Sequence, residues 1–495
     1  MFRRAFLPER TSQLVATSDQ AHVDCLTSWR RYADVRPIAV RLTAKVLPGS
    51  EDLPTIAGAT LNATETNVAC PGCGCLCDDV SLTFDEGRLV NFEPSCALGE
   101  RWFRNHSVLG QPVAELNGIT AKYDVAIQQA IELLERADYP LVYGLSRSSS
   151  PGQRAAVALA DRIGAVIDTT ASMCHGPSIM ALQEVGEVTC TLGEVRNRAD
   201  LVIFWGCHPA VSHPRHAERY SVFAKGRFTP EGRDSRKIVM IGEADKVDSW
   251  KLSPDGGDAD LIIPVQPDGD FEIVTQLRAL LRGNQLSDVS EPVLQLMELM
   301  KNCRYGTVFF GLGLAGSRMW EGSQPTNSGH IQVAGLLQLV AELNAVTRFT
   351  ARRMRMQGDV SGADNVLLWQ TGYPFAGDIA RGYPRYNPGE FSANELLERR
   401  DTDLCVIVGA ETIPYFSHAA RDHLRKIPTI VIDYPNVPLE FTPTVRFTTA
   451  VYGLHAAGTA YRMDNVPLPL RAMQPSQYPT DAEVLSDLLA GFRGD

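Results

Sequence analysis

Cys70, Cys73, Cys75 and Cys77 fall within eight residues of one another, and Cys96 follows in the next stretch of chain. The other six cysteines are scattered over the 495 residues. A packed core has no use for such density, so the stretch reads as a ligand set. The spacing Cys70-x2-Cys73-x3-Cys77-x18-Cys96 brings three thiolates from one tight loop and a fourth from a return of the chain. Gly72 and Gly74 let the backbone approach closely and turn N–H groups toward inorganic sulfide, which carries negative charge. This favours an iron–sulfur cluster. Zinc is the alternative, but zinc usually takes two C-x2-C knuckles, and the second is missing. A redox C-x-x-C pair needs only two cysteines. Cys75 lies too close to Cys73 and Cys77 for easy co-ligation.

A second constellation is Ala171-Ser172-Met173-Cys174-His175-Gly176-Pro177. It follows the apolar run Ala165-Val166-Ile167, which places it at a strand's carboxyl end, where α/β folds put ligands and chemistry. Cys174 can be a soft metal ligand and His175 a proton donor or acceptor. On spacing alone a buried structural cysteine is the better reading. Other strand ends also carry polar groups. Gly206-Cys207-His208-Pro209 follows Leu201–Trp205, and His213 and His216 share a helix face, a weak signal for zinc. Glu243 and Asp433 stand at the ends of the runs Lys237–Ile241 and Thr429–Ile432, where an acid binds a ribose or a guanine edge. Gly409-Ala410-Glu411-Thr412 fits a nucleotide-facing turn. Neither GxGxxG nor GxxxxGK[ST] occurs, so neither NAD nor ATP is signalled.

The elements that must position these residues alternate. Tyr123 to Ala137 reads as an amphipathic helix, and Ser150-Pro151 opens another. Short β-rich runs recur at Leu201–Trp205, Leu261–Val265, Thr307–Leu312, Val366–Trp369, Leu404–Val408 and Thr429–Ile432, with helical patterns between many of them. Alternation with short connections means mostly parallel sheets covered on both faces. The expected fold class is α/β: a small N-terminal iron–sulfur domain, then two α/β domains. The boundaries expected are 1–66 for an N-terminal extension without clear periodicity and 67–118 for the cysteine domain. Residues 119–300 form the first α/β domain with the Cys174 loop, and 301–495 the second, with an extended proline-rich tail.

The bulk numbers exclude some classes. Hydrophobic residues make up 44% and charged residues 21%, ordinary for a globular protein. A net charge of -11 argues against nucleic acid as a general partner. No apolar run reaches the length of a membrane span. Clustered cysteines, odd in number, fit metal binding in a reducing cytoplasm better than a disulfide framework.

An N-terminal C-x2-C-x3-C…C cluster before two α/β domains resembles the molybdopterin oxidoreductase family. Within it, Cys70–Val80 (CPGCGCLCDDV), Cys174–Arg198, Gly362–Tyr373 (GADNVLLWQTGY), Arg381–Phe391 (RGYPRYNPGEF) and Gly458–Asp464 (GTAYRMD) are similar to the B subunits of formylmethanofuran dehydrogenases. The resemblance implies a [4Fe-4S] cluster on Cys70, Cys73, Cys77 and Cys96. It implies tungsten or molybdenum held by Cys174 and by two molybdopterin guanine dinucleotides, with His175 as the neighbouring acid/base group. Glu243, Gly409, Glu411 and Asp433 would help hold the dinucleotides, and an arginine within 348–355 would polarise a one-carbon substrate. The implied reaction is reversible reduction of CO2 to formate, which a partner protein condenses with methanofuran. Implied partners are an amidohydrolase-like A subunit, the C and D subunits, and an electron-carrier protein. Two features depart from the wider family. Cys96 is followed by Ala97-Leu98-Gly99 rather than a bridging lysine or arginine, with Arg101 the nearest cation. The chain also looks too short for a C-terminal barrel, so a separate polypeptide would supply it. The other reading is a non-redox structural B subunit of a bacterial formyltransferase/hydrolase complex in formaldehyde oxidation.

Overall fold

Pro140–Gly144, Leu201–Trp205, Gly306–Phe310, Leu404–Val408 and Thr429–Asp433 have every residue buried. Strands buried on both faces belong to parallel sheets with helices on each side. The computed structural model of the chain has that architecture; it describes residues 63–107, 110–316, 319, 329–356 and 358–492. The extension expected over residues 1–66 lies outside the described residues up to position 62, and its last four residues open the first strand.

A three-stranded antiparallel sheet comes first, from β1 (Ala63–Val68), β2 (Val80–Asp85) and β3 (Arg88–Glu93). The cysteine loop joins β1 to β2, and a helix, Ala97–His106, starts directly after Cys96. The chain then begins a large sheet with β4 (Ala114–Leu116), β5 (Ile119–Ala121), β6 (Pro140–Gly144) and β7 (Val166–Thr169). It leaves to build a second sheet from β8 (Leu201–Trp205), β9 (Lys237–Glu243), β10 (Leu261–Val265), β11 (Gly306–Phe310) and β12 (Phe349–Arg353). It returns to the first with β13 (Gly377–Asp378), β14 (Arg385–Tyr386), β15 (Leu404–Val408), β16 (Thr429–Asp433) and β17 (Val445–Thr448). A hairpin of β18 (Gly458–Tyr461) and β19 (Pro467–Leu470) and a helix, Asp481–Gly491, end the fold.

The order in the nine-stranded sheet is β14-β13-β7-β6-β15-β16-β17-β4-β5, with β7 to β17 parallel; in the five-stranded sheet it is β10-β9-β8-β11-β12, all parallel. The sheets are nested. The expected division at 300/301 falls inside the five-stranded sheet, between β10 and β11, and the nine-stranded sheet takes strands from both sides of it. Periodicity marks each strand but does not say which strands pair across an insertion.

Each sheet reverses its winding once, between β6 and β15 and between β8 and β11. These are the crevices where open α/β sheets bind ligands. Side chains alternate as the pleat requires. Leu201, Ile203 and Trp205 face the helices Asp270–Leu281, Glu291–Asn302 and Gly329–Leu343. Val202 and Phe204 face Val195, Tyr220 and the cysteine loop. Each such side chain contributes about 1.5–3 kcal/mol of burial.

Val366–Trp369 is not a strand. It lies within a helix, Val360–Thr371, because Asp359 caps one end by accepting from the Gly362 N–H at 3.0 Å and Gly372 closes the other in the left-handed region. Val366 and Leu367 turn inward while Leu368 and Trp369 stay exposed, so the four apolar residues do not share one face. The proline-rich tail packs on the cysteine loop: Leu470 joins Ala69, Leu76 and Tyr452 in one apolar cluster. No helix among the described residues is long and apolar enough to cross a membrane.

Candidate metal centres

The β1–β2 loop folds back on itself through hydrogen bonds from Cys70 N to the Cys77 carbonyl (2.8 Å) and from Leu76 N to the Cys73 carbonyl (3.1 Å). This brings Cys70, Cys73 and Cys77 to one cavity with Cys96, Gly72, Gly99, Phe92 and Arg215. Backbone N–H groups point at the sulfurs: Gly72 donates to Cys70, and Gly99 and Leu98, at the start of the Ala97–His106 helix, donate to Cys96. The glycines leave the space the sulfurs need, since a Cβ on Gly99 would stand 3.0 Å from Cys70 Sγ. Burial pushes the Cys70 thiol well up, and the neighbouring Cys77 and Cys73 sulfurs add to this. Cys77 is brought down to about 7 by a hydrogen bond from Cys75 and, against its burial, by Arg219 and Arg215. Cys75 is fully buried outside the cavity lining, in contact with the sulfurs of Cys73 and Cys77.

Behind the loop, Arg215 grips Asp79 with two bonds of 2.8 Å, and Arg219 reaches Asp79 and Asp78 at 2.7 Å. Among the described residues no three His, Cys, Asp or Glu side chains converge as the ligands of one ion do. Thiols lining one cavity, N–H groups aimed at sulfur and nearby guanidinium charge are surroundings that an anionic iron–sulfur cluster fits.

The second constellation follows β7. Thr169 caps a short 3-10 turn, accepting from Ala171 N at 3.2 Å, and the Gly176–Val185 helix begins after His175. Cys174 lies buried between them, its thiol pushed up to about 11 by burial and eased down by Arg355. His175 is fully buried; its Nε2 lies 3.3 Å from the Met354 carbonyl and its Nδ1 3.0 Å from Ser178 Oγ. A carbonyl only accepts, so Nε2 carries the hydrogen and Nδ1 accepts from Ser178. Burial, then the Arg355 and Arg353 charges, hold this ring's pKa far below its usual value, so the imidazole is neutral.

Three arginines of the 348–355 stretch divide by role. Arg352 donates to the Cys190 and Met463 carbonyls, and Arg353 pairs with Glu187 at 3.2 Å. Arg355 pairs with Asp364, which also accepts from Thr169 Oγ1 at 2.9 Å, and it is the largest electrostatic influence on Cys174. Asp364 and Thr169 had no signal in spacing. They matter because they fix Arg355.

The cavity beside Cys174 is lined by Ser146 and Thr412 from the β6 and β15 ends and by Leu312 from the β11 end, with Thr170, Met356 and Val360. Residues that follow β6 and β15 of one sheet and β11 of the other therefore reach Cys174. At the nine-stranded crevice Gly144 has φ +117 and lies against the carbonyls of Val408 and Gly409, an approach no side chain allows. Gly409 follows β15, Glu411 is hydrogen-bonded by Ser146, and Arg147 lies 3.4 Å from Glu411 and 3.5 Å from Asp433. The structure thus brings Gly409, Glu411 and Asp433 together around Arg147, which the sequence did not single out. Glu243 is apart from them: it is the last residue of β9, in the other sheet, and pairs with Lys246.

The other histidines that the sequence pointed to, His208, His213 and His216, have partners within the protein. His208 stacks on Trp250 at 5.4 Å, and His213 Nε2 lies 2.6 Å from the Arg355 carbonyl. His216 Nδ1 lies 2.9 Å from Ser221 Oγ, and the His213 and His216 rings are 6.3 Å apart, edge to face.

No protein-family model matches the chain. It is 38% identical over 438 residues to the B subunit of tungsten-containing formylmethanofuran dehydrogenase 2 of Methanocaldococcus jannaschii, covering 86% of this chain and 97% of that one. It is 36% identical, with the same coverage, to the protein of that name from Methanococcus maripaludis. The B subunit of the formyltransferase/hydrolase complex Fhc of Methylorubrum extorquens is 22% identical over 302 residues, 61% of this chain and 75% of that one. The crystal structure of that organism's formyltransferase/hydrolase complex with methylofuran contains a chain with the same fold, with a TM-score of 0.60 at 21% identity, covering 77% of this chain and 98% of that one. Identity of 36–38% spans nearly the whole length of the first two relatives, so the chain belongs to the family of formylmethanofuran dehydrogenase B subunits.

Proposed function

We propose that this chain is the metal-bearing component of a formylmethanofuran dehydrogenase and interconverts CO2 and formate at Cys174. One observation carries the reading: the cavity beside Cys174 is lined by residues that follow strands of both parallel sheets, Ser146 and Thr412 from one and Leu312 from the other. That arrangement suits a metal held by one thiolate and two dinucleotides. Tungsten, named in both archaeal relatives, or molybdenum would be held by Cys174, with Gly409, Glu411 and Asp433 at one dinucleotide and Glu243 near the other. The bound metal would supply the two-electron exchange with the one-carbon substrate.

The chain's own residues supply the surroundings. Arg355, fixed by Asp364, sets a positive charge next to Cys174, which suits an anionic carboxylate. The neutral His175 holds its proton on Nε2 and is oriented by Ser178 and Met354. It can exchange a proton only after leaving the Met354 carbonyl. Leu312, Met356 and Val360 give the cavity an apolar wall. Cys70, Cys73, Cys77 and Cys96 would hold a [4Fe-4S] cluster that exchanges electrons with this centre. The A, C and D subunits of the same complex and an electron-carrier protein are the expected partners.

The test is metal and pterin content of the complex purified without oxygen. About one tungsten or molybdenum per chain, lost in Cys174→Ala, is expected. Absence of metal together with intact formyl transfer would overturn this reading in favour of a structural, non-redox role. Metal retained in Cys174→Ala would show the ligand to be misassigned.

A further inference from the structure

Met354, Arg355 and Met356 directly follow β12, and their three backbone carbonyls are held from three different elements. The Met354 carbonyl lies 3.3 Å from His175 Nε2, and the Arg355 carbonyl lies 2.6 Å from His213 Nε2. The Met356 carbonyl accepts from Gly74 N at 3.1 Å. His175 belongs to the Cys174 loop and Gly74 to the cysteine loop. His213 belongs to neither: it follows the short helix Pro209–Ser212 beyond β8. Its bond is the shortest of the three. His213 is fully buried, and its own backbone N–H donates to the Pro209 carbonyl at 2.8 Å. A carbonyl only accepts, so His213 Nε2 carries the hydrogen, and Nδ1 is left as the acceptor, with Ser212 Oγ at 2.9 Å.

Arg355 is thereby gripped twice, on its carbonyl by His213 and on its guanidinium by Asp364. Two residues beyond His213, Arg215 lines the cavity of Cys70, Cys73, Cys77 and Cys96 and grips Asp79. The run His213-Pro214-Arg215-His216, which in the sequence gave only a weak signal for zinc, therefore touches the surroundings of both cysteine centres. We propose that His213 is a positioning residue for the one-carbon chemistry. By holding the Arg355 carbonyl it sets the Arg355 guanidinium beside Cys174, and with it the Met354 carbonyl on which His175 rests. His213 is not among the residues that line the cavity beside Cys174, so it acts through Arg355 and Met354. Removing its donor leaves the carbonyl of a buried residue unsatisfied, and the segment shifts to find another. A shift of about 1 Å at a reacting group costs up to about a hundredfold in rate. The proposal rests on the reading of Cys174 as a metal ligand.

The experiment uses the intact complex purified without oxygen. His213→Leu removes the donor, and His213→Gln keeps an N–H at similar reach. His418→Gln, on an exposed side chain, is the control. Tungsten, molybdenum, iron and sulfide are measured in every sample. Formate oxidation with a viologen dye is expressed per metal, and the paramagnetic resonance spectrum of the half-reduced metal is recorded alongside it. His213→Leu should lower kcat per metal by about tenfold or more and change the spectrum, while His213→Gln restores both to within about threefold of wild type. If His213→Leu retains no metal, His213→Asn takes its place, because its amide is one bond too short to reach the carbonyl and it should show the same loss per metal. Wild-type kcat per metal and an unchanged spectrum without the donor would overturn the proposal. Activity that falls only in proportion to metal would also overturn it, leaving His213 a structural residue. A His213→Gln protein as slow per metal as His213→Leu would overturn it too, because the ring and not its bond would then matter. Absence of metal from the wild-type complex defeats the reading of Cys174 itself, whereas metal present with a null His213→Leu defeats only the positioning role.

Discussion

Gly74 joins the two cysteine centres, and Gly74→Ala should disturb both. Its N–H donates to the Met356 carbonyl at 3.1 Å, and its carbonyl accepts from Met463 N at 2.9 Å. A Cβ there would overlap the Arg355 carbonyl oxygen and stand 3.1 Å from its carbon. All of these atoms are backbone, so nothing flexible can give way. Relief requires the cysteine loop and the Met354–Met356 segment to part by about 1 Å, an overpacking cost of about 1–3 kcal/mol. That movement breaks or lengthens the two hydrogen bonds, about 1 kcal/mol each. The expected loss is therefore about 3–5 kcal/mol in urea denaturation of the purified chain. On the far side of the same segment, His175 rests on the Met354 carbonyl and His213 on that of Arg355. Iron, sulfide and the Cys174 metal should accordingly fall together in the complex. The control is Gly193→Ala, in a helix, where the nearest atom to a Cβ is Thr191 Oγ1 at 3.7 Å. It should be neutral or slightly stabilising. A Gly74→Ala protein within about 0.5 kcal/mol of wild type and with full iron and sulfide would refute the reasoning.

Two further outcomes concern stability alone. Arg236 is buried and donates to five carbonyls, of Ala199, Val222, Ala224, Gly232 and Arg196, and to Thr229 Oγ1, at 2.6 to 3.3 Å. Arg236→Met should cost about 3 kcal/mol or more by denaturant titration, with only part restored by Arg236→Lys, because those carbonyls lose their donors; a loss below about 1 kcal/mol contradicts this. Asp481 is fully buried, and burial raises its carboxyl to about 6. The unfolded chain binds fewer protons than the fold between about pH 4 and this value, so stability falls as pH rises through that window. Asp481→Asn should remove a decline of about 1–3 kcal/mol between about pH 4 and about pH 7; an identical pH slope in both proteins would show that Asp481 is not its source.

The grouping of Cys70, Cys73, Cys77 and Cys96 was legible because thiols at that spacing have few other uses, and the loop's own hydrogen bonds draw them to one cavity. Most strands were legible too, since residues buried on both faces must be apolar throughout. Cys174 stood out from the sequence only through the segments it shares with relatives, for a lone Cys-His pair has no spacing to test. Three things depended on the tertiary structure. Pairing β6 with β15 and β8 with β11 brings residues after strands of both sheets to Cys174, and strand patterns carry no record of partners separated by more than 100 residues. Glu411, Asp433 and Arg147 become one group only when those strands align. Arg462, more than 200 residues further along the chain, lies 5.4 Å from the Tyr220 ring behind the cysteine loop only through packing. Local chemistry, set by neighbours along the backbone, was therefore written in the sequence. The relation between sites was decided by packing, which alone brings distant residues within the few ångströms over which charge and hydrogen bonds act.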